Sequence, residues 1–168
     1  MPDPFHAKMS HPNLVIRPAR PEDTSLILEL IRALGAYERL SHEVVATELQ
    51  LQAALFGERP AAECLLAEVD EVTAGFAVYY PTFSTFLAKA GLHLEDLFVK
   101  PAFRGQGIGK ALLLRVAHIA NQRGCGRMEW TVLDWNQPAI EFYDSLGAQR
   151  LPDWKICRLA GADLQRYA

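Results

Sequence analysis

Residues 94–110 read LEDLFVKPAFRGQGIGK. An apolar strand, Leu94 to Val99, runs into Arg104 and then into a glycine at every second position: Gly105, Gly107, Gly109. A run with helical periodicity follows without a break, with Ile108, Leu112, Val116, Ile119 and Ala120 on one stripe. Glycines at such a junction let the backbone come close to a ligand and take conformations that a side chain forbids. A helix starting near Gly107 has first amides that lack intrahelical acceptors and point outward. Together with the helix dipole they make an anion site suited to a pyrophosphate. The stretch therefore predicts a phosphate-bearing cofactor at a strand–loop–helix junction.

Two familiar phosphate loops do not fit the spacing. A dinucleotide-binding turn needs G-x-G-x-x-G near the first strand of a βαβ unit, whereas these glycines are spaced G-x-G-x-G in mid-chain. A P-loop needs Ser or Thr after its Lys, and Lys110 is followed by Ala111. On spacing alone, a glycine-rich loop without a ligand remains the other reading.

The 168 residues suit one domain with a sizeable core. A content of 50% hydrophobic and 22% charged residues is that of an ordinary globular protein. The net charge of −3 and pI near 5.9 do not suggest a nucleic-acid partner. No apolar run approaches the ~18 residues of a membrane span. Met1 to Pro12 lack the charged and apolar regions of a secretory signal, so residues 1–12 are expected to be a disordered lead-in and 13–168 a single domain. Cys64, Cys125 and Cys157 are odd in number and lack a C-x-x-C pair, which fits reduced cysteines in a cytoplasmic protein. The five histidines have no ligand spacing, so no metal site is expected.

Along the chain, residues 14–17 alternate as a first strand closed by Pro18. Pro21-Glu22-Asp23 opens a helix with Ile27, Leu30, Ile31 and Leu34 at helical spacing, ending before Gly35. A second helix is predicted over 47–55, stopped by Gly57 and Pro60. Strands at 64–69 and 74–80 flank a hairpin turn at Asp70-Glu71-Val72-Thr73. Residues 81–91 read as a loop, 92–99 as the central strand and 128–133 as another strand. A fourth helix has Pro138 at its start and Gly147 just past its end. Residues 154–159 read as a last strand. The sum is one α/β domain.

Arg104-x-x-Gly107-x-Gly109, between a strand and a helix, resembles the acetyl-coenzyme A signature of the GNAT superfamily of N-acetyltransferases. The block VLDWNQPAIEFY at 132–143, ending in Leu146-Gly147-Ala148, resembles that superfamily's last motif. Val15-Ile16-Arg17-Pro18-Ala19, Ala36-Tyr37-Glu38, Leu94-Glu95-Asp96 and Asp134-Trp135-Asn136 are similar to the spermidine/spermine (diamine) subfamily, including its thialysine-acetylating members. The likeness covers residues 14–159. It implies a central mixed, mostly antiparallel, twisted sheet flanked by about four helices.

It also implies acetyl-CoA as the acetyl donor and a primary amine of a small molecule as acceptor. The backbone of Leu97, Phe98 and Val99 would pair with the pantetheine as an extra strand. Arg104 and the amides of Gly105, Gln106, Gly107, Ile108, Gly109 and Lys110 would hold the pyrophosphate. Asn136 would contact the pantetheine arm, although its position also suits a helix N-cap. Tyr143, which also touches the cofactor, would protonate the leaving thiolate; seven residues separate it from Asn136, so both can face one ligand. Its rival reading is a tyrosine buried with a satisfied hydroxyl.

Glu95 is the candidate base. In a regular strand His93, Glu95, Leu97 and Val99 share one face, with Leu94, Asp96 and Phe98 on the other. Burial of Glu95 in this apolar strand would raise its pKa into a useful range; the rival reading is an exposed edge position or an ion pair. Tyr37 and Glu38 match a subfamily substrate contact, although Glu38 alone reads as a solvated residue; Asp96, Glu129, Trp130 and Thr131 are further candidate substrate contacts, and in a segment shorter than the family's only Asp153 lies near its acid. The chain departs from the polyamine-specific pattern at Phe83-Ser84-Thr85-Phe86, which lacks the acid and Trp found there. A short diamine or lysine-like amine therefore fits better than a long polyamine. The reading is a cytoplasmic, acetyl-CoA-dependent N-acetyltransferase working by direct attack, homodimeric through its C-terminal part, without nucleic-acid or membrane partners. Its rivals are a protein or peptide N-acetyltransferase and a coenzyme A-binding sensor.

Overall fold

Strand β1 (Leu14–Pro18) opens the structure, a computed structural model that describes residues 13–168; the expected lead-in at 1–12 lies outside the described residues. The chain forms two compact units, one ending at Thr131 and one spanning Val132–Ala168.

In the first unit a 3-10 turn at Pro21–Asp23 leads into α1 (Thr24–Tyr37). The remaining elements are α2 (Glu48–Phe56), β2 (Glu63–Val69), β3 (Val72–Ser84), β4 (Lys89–Val99), α3 (Ile108–Gln122) and β5 (Met128–Trp130). The sheet order is β1-β2-β3-β4-β5, antiparallel up to β4, with β5 joining β4 in parallel. This is the mixed, mostly antiparallel sheet the sequence leads one to expect. Ile27, Leu30 and Leu34 of α1 and Leu55 of α2 pack on Cys64, Leu66, Phe76, Val78 and Phe98 on one face of the sheet. Helix α3 covers the other face: Gly109 approaches Val99, and Arg123 pairs with Glu63 at 2.6 Å beneath the Tyr79 ring. Its buried residues include Ile108, Leu112, Val116 and Ala120, four of the five in the stripe seen in the sequence.

Several expected boundaries move, each for a physical reason. Helix α1 runs through Gly35 to Tyr37, because this glycine serves close packing rather than a stop: a Cβ there would lie 2.6 Å from Val44 Cγ2. The hairpin turn is only Asp70-Glu71, both at positive φ (49° and 65°), a tight two-residue loop that places Val72 and Thr73 in β3. Residues 81–91 are not a loop: β3 and β4 continue as a ladder from Pro81↔Leu92 to Ser84↔Lys89. Pro81 is tolerated because β2 pairs with β3 only as far as Tyr79, and beyond it the missing N–H faces an unpaired edge. β5 stops at Trp130 rather than Leu133.

The second unit holds α4 (Gln137–Ser145) and a short α5 (Gly161–Gln165), which the sequence did not signal. Pro138 lies in the first turn of α4, and Gly147 follows its end at φ +82°. Gly147 N–H donates to Asp144 and Ala148 N–H to Tyr143, a Schellman closure that needs a left-handed residue. Residues 154–159 do not form a strand. Trp154, Ile156 and Leu159 are exposed, and an alternating pattern without a neighbouring strand has nothing to satisfy a ladder.

Candidate functional site

β4 runs beyond its last pair with β5. The parallel pairing covers Leu92↔Met128, His93↔Glu129 and Leu94↔Trp130, whereas pairing with β3 continues to Val99↔Gly75. Residues 95–99 therefore present one edge with no strand partner, and Leu97, Phe98 and Val99 lie on it. That edge can take an extended ligand carrying amide groups, by strand addition. Phe98 anchors the segment: its side chain is buried edge-on against Phe76, with centroids 6.4 Å apart. Gly75 lets β3 approach closely, since a Cβ would sit 2.4 Å from the Phe98 carbonyl oxygen. Gly75→Ala is expected to force the strands apart and to lower stability by about 1–3 kcal/mol in urea unfolding.

A 3-10 turn at Pro101–Phe103 links this edge to the glycine loop. Gly105 and Gly107 have φ of +75° and +80°, where a side chain is strained, and Gly107 caps α3. The helix begins at Ile108, so the amides of Ile108, Gly109 and Lys110 open its N-terminus, and Ala111 N–H donates to the Gly107 carbonyl across the cap. The predicted strand–loop–helix junction is thus present in the backbone. Arg104 joins this junction to the end of α1. It donates to the Val99 carbonyl at 2.9 Å and lies over the Tyr37 ring at 4.4 Å, bracing the end of α1 against the end of β4. Gln106 reaches back to the Ala102 carbonyl at 3.3 Å.

The acceptor side turns on a bulge. Val78 pairs with Asp96 and Tyr79 with Leu94, leaving Glu95 as the extra residue of β4. The expected facing changes accordingly. Leu94 and Asp96 lie on opposite faces, and Asp96 shares the α1 face with Phe98. Nor is Glu95 buried: its side chain is 56% exposed. The bulge lifts it out of the ladder and into the open, against the expected burial.

The partly buried carboxyl is Asp96, which loss of water, then the charges of Glu95 and Glu38, push up to about 7. Glu38, just past the end of α1, is also raised by desolvation. Three carboxylates from two elements thus gather beside the bulge, with Tyr37 next in chain to Glu38. Their combined negative charge suits an ammonium group. On the β5 side Glu129 pairs with Arg127 at 2.8 Å, Trp130 is partly buried and Thr131 is exposed.

The second unit carries the remaining candidates. Asn136 is buried at the start of α4, yet its side chain does not cap the helix. Tyr143 lies two turns on, its ring 5.2 Å from Phe142. Asp153 is exposed in the turn after the helix. Strand alternation sets His93 beside Glu95 without giving it a role, and Tyr80, whose ring stacks on His93, is marked by no motif. Among the described residues no cluster of His, Cys, Asp or Glu is arranged to hold a metal, and no helix is long and apolar enough to cross a membrane.

Comparison with known proteins gives a consistent picture. The model of the acetyltransferase (GNAT) family matches residues 28–148. The chain is 39% identical to the thialysine N-epsilon-acetyltransferase of Bos taurus, covering 92% of this chain and 97% of that one. It is 36% identical to the L-ornithine N5-acetyltransferase of Arabidopsis thaliana, covering 89% and 86%. Among solved structures, an integron cassette protein from the mobile metagenome of V. cholerae superposes with a TM-score of 0.78 at 26% identity, covering 92% and 97%.

Proposed function

From the premise that this chain belongs to the GNAT family and is an N-acetyltransferase, we propose that it transfers the acetyl group of acetyl-CoA to the terminal amine of a small lysine- or ornithine-like molecule or a short diamine. The observation that carries this reading is the unpaired edge of residues 95–99 running into the glycine-capped start of α3. The edge offers amides and carbonyls to a pantetheine arm, and residues 105–110 offer amides to a pyrophosphate. The family match spans the junction between the two units, which supports treating 13–168 as one catalytic domain. Asn136 and Tyr143, by their motif positions, would join the cofactor from α4.

In the proposed reaction Glu38 and Asp96 draw in the ammonium group and Glu95 accepts its proton, directly or through water. The neutral nitrogen attacks the thioester carbonyl, the carbon–sulfur bond breaks, Tyr143 gives its proton to the departing thiolate, and the second proton shed by the nitrogen as the amide forms restores the Tyr143 hydroxyl. The products are an amide and free coenzyme A. A free amine has a pKa near ~10, so the base is what makes turnover possible near neutrality. The lysine- and ornithine-like acceptors named for the relatives support a compact amine, as does the absence of carboxylates from Phe83-Ser84-Thr85-Phe86. A cytoplasmic homodimer, docked through the exposed Trp154, Ile156 and Leu159, belongs to the same reading.

The test is thiol release from acetyl-CoA against thialysine, lysine, ornithine, putrescine, spermidine and a lysine peptide. Turnover should be fastest on one of the first four. Preference for the peptide would place the protein among the peptide acetyltransferases, and acetyl-CoA binding without turnover on any amine would make it a sensor.

A further inference from the structure

Two side chains that the proposed reaction does not use converge on Glu95. His93 Nε2 lies 3.7 Å from Glu95 Oε2. Its imidazole stacks on the Tyr80 ring, with centroids 5.0 Å apart and planes inclined by 27°. Loss of water, and then the charge of the neighbouring Glu95, raise the Tyr80 phenol above its ordinary value. The pairing registers explain the grouping: Tyr80 stands opposite His93 on β3, and the bulge then turns Glu95 out of the ladder beside them. Glu129 stands opposite His93 on β5, but Arg127 engages its carboxylate at 2.8 Å.

The partners differ in freedom. The His93 side chain is 21% exposed and wedged against a ring, whereas that of Glu95 is 56% exposed. A glutamate in the open samples many rotamers and loses that freedom only when donors hold it. At 3.7 Å the His93 contact is longer than a hydrogen bond, and catalytic contacts of this kind tighten when substrate binds.

We propose that His93, seated on Tyr80, is a positioning residue that holds the Glu95 carboxylate toward the acceptor amine. The proposal rests on the reading of Glu95 as the group that takes the amine proton. His93, with the Tyr80 ring behind it, sets the direction of the carboxylate and leaves its other lone pairs for the ammonium. The bulge is what requires this, since Glu95 has no ladder neighbour to set its direction. Misplacement of a reacting group by about 1 Å is worth up to ~10²-fold in rate.

A double-mutant cycle tests this with the full chain and the preferred amine. His93→Phe keeps the ring on Tyr80 but removes the donor, and His93→Gln restores a donor that cannot titrate. His93→Phe should lower kcat by about 10- to 100-fold with little change in the KM for acetyl-CoA, and His93→Gln should recover most of the loss. In a Glu95→Gln background, His93→Phe should cost nothing further, because its effect runs through the carboxylate. If Glu95→Gln is slow while His93→Phe turns over like wild type, or if the two losses multiply, the positioning role is wrong and Glu95 keeps its own. Wild-type turnover in Glu95→Gln overturns both. Equal losses in His93→Phe and His93→Gln, with a lowered melting temperature in each, would mark His93 as structural only and overturn the proposal.

Discussion

Tyr143→Phe is expected to lower kcat for the preferred amine by about 10²–10⁴-fold, the range lost with a general acid. Acetyl-CoA affinity should hardly change. The substitution removes one oxygen and leaves the ring, so the shape of α4 is kept. That helix is closed by features independent of the hydroxyl: Pro138 in its first turn and the Schellman pair made by Gly147 and Ala148. The ring keeps its neighbour Phe142. What is lost is the proton for the departing sulfur, and an amine cannot displace a thiolate efficiently without one. Comparing thiol release with equilibrium binding of acetyl-CoA separates the two readings of this residue. A tyrosine buried for packing predicts a drop of about 1 kcal/mol in stability with turnover kept. An acid predicts the reverse, and full turnover in Tyr143→Phe would move the proton donor elsewhere.

The elements that position this chemistry were legible wherever a local signal decided them. Gly105, Gly107 and the stripe from Ile108 to Ala120 fix the strand–loop–helix junction, because positive φ and helical periodicity are both short-range properties. Pro138 and Gly147 bracket α4 for the same reason. The errors share another origin. The face on which Asp96 lies depends on one unpaired residue in β4, and a bulge is set by the pairing of two distant segments rather than by alternation within one. Pro81 reads as a breaker until it is known that β2 has ended beside it. Gly35 reads as a stop until Val44 is found against it. Residues 154–159 have the alternation of a strand but no partner in the sheet. In the candidate site, a motif points to Glu95 but not to its surroundings. Tyr80 carries no pattern, and the exchange of burial between Glu95 and Asp96 is a consequence of the bulge.

That exchange leads to an expected gain in stability for Asp96→Asn, worth about 4 kcal/mol at pH 8 and vanishing near pH 4. The Asp96 carboxyl is raised from its ordinary 3.8 to about 7, first by loss of water and then by Glu95 and Glu38. Below about pH 4 the group is protonated in both the folded and unfolded chain and contributes nothing. Between 3.8 and about 7 the folded state keeps a proton that the unfolded state has released, so each rise in pH favours unfolding. Above about 7 the folded protein carries the whole cost, the gap converting to about 4 kcal/mol at about 1.4 kcal/mol per pH unit. Asparagine has a similar shape and no charge, so it removes the cost. Thermal melts of both proteins from pH 4 to pH 8 should diverge as pH rises, and parallel curves would show that the displaced proton is not on Asp96. A chain that retains an unfavourable carboxylate where an uncharged amide fits must gain from it in another state. A bound ammonium favours the charged form of Asp96, so the cost paid by the empty protein is returned on binding. Amine affinity should therefore rise with pH through about 7 in wild type. In Asp96→Asn that rise should be lost along with the tighter binding, tying the stability penalty to recognition of the cation.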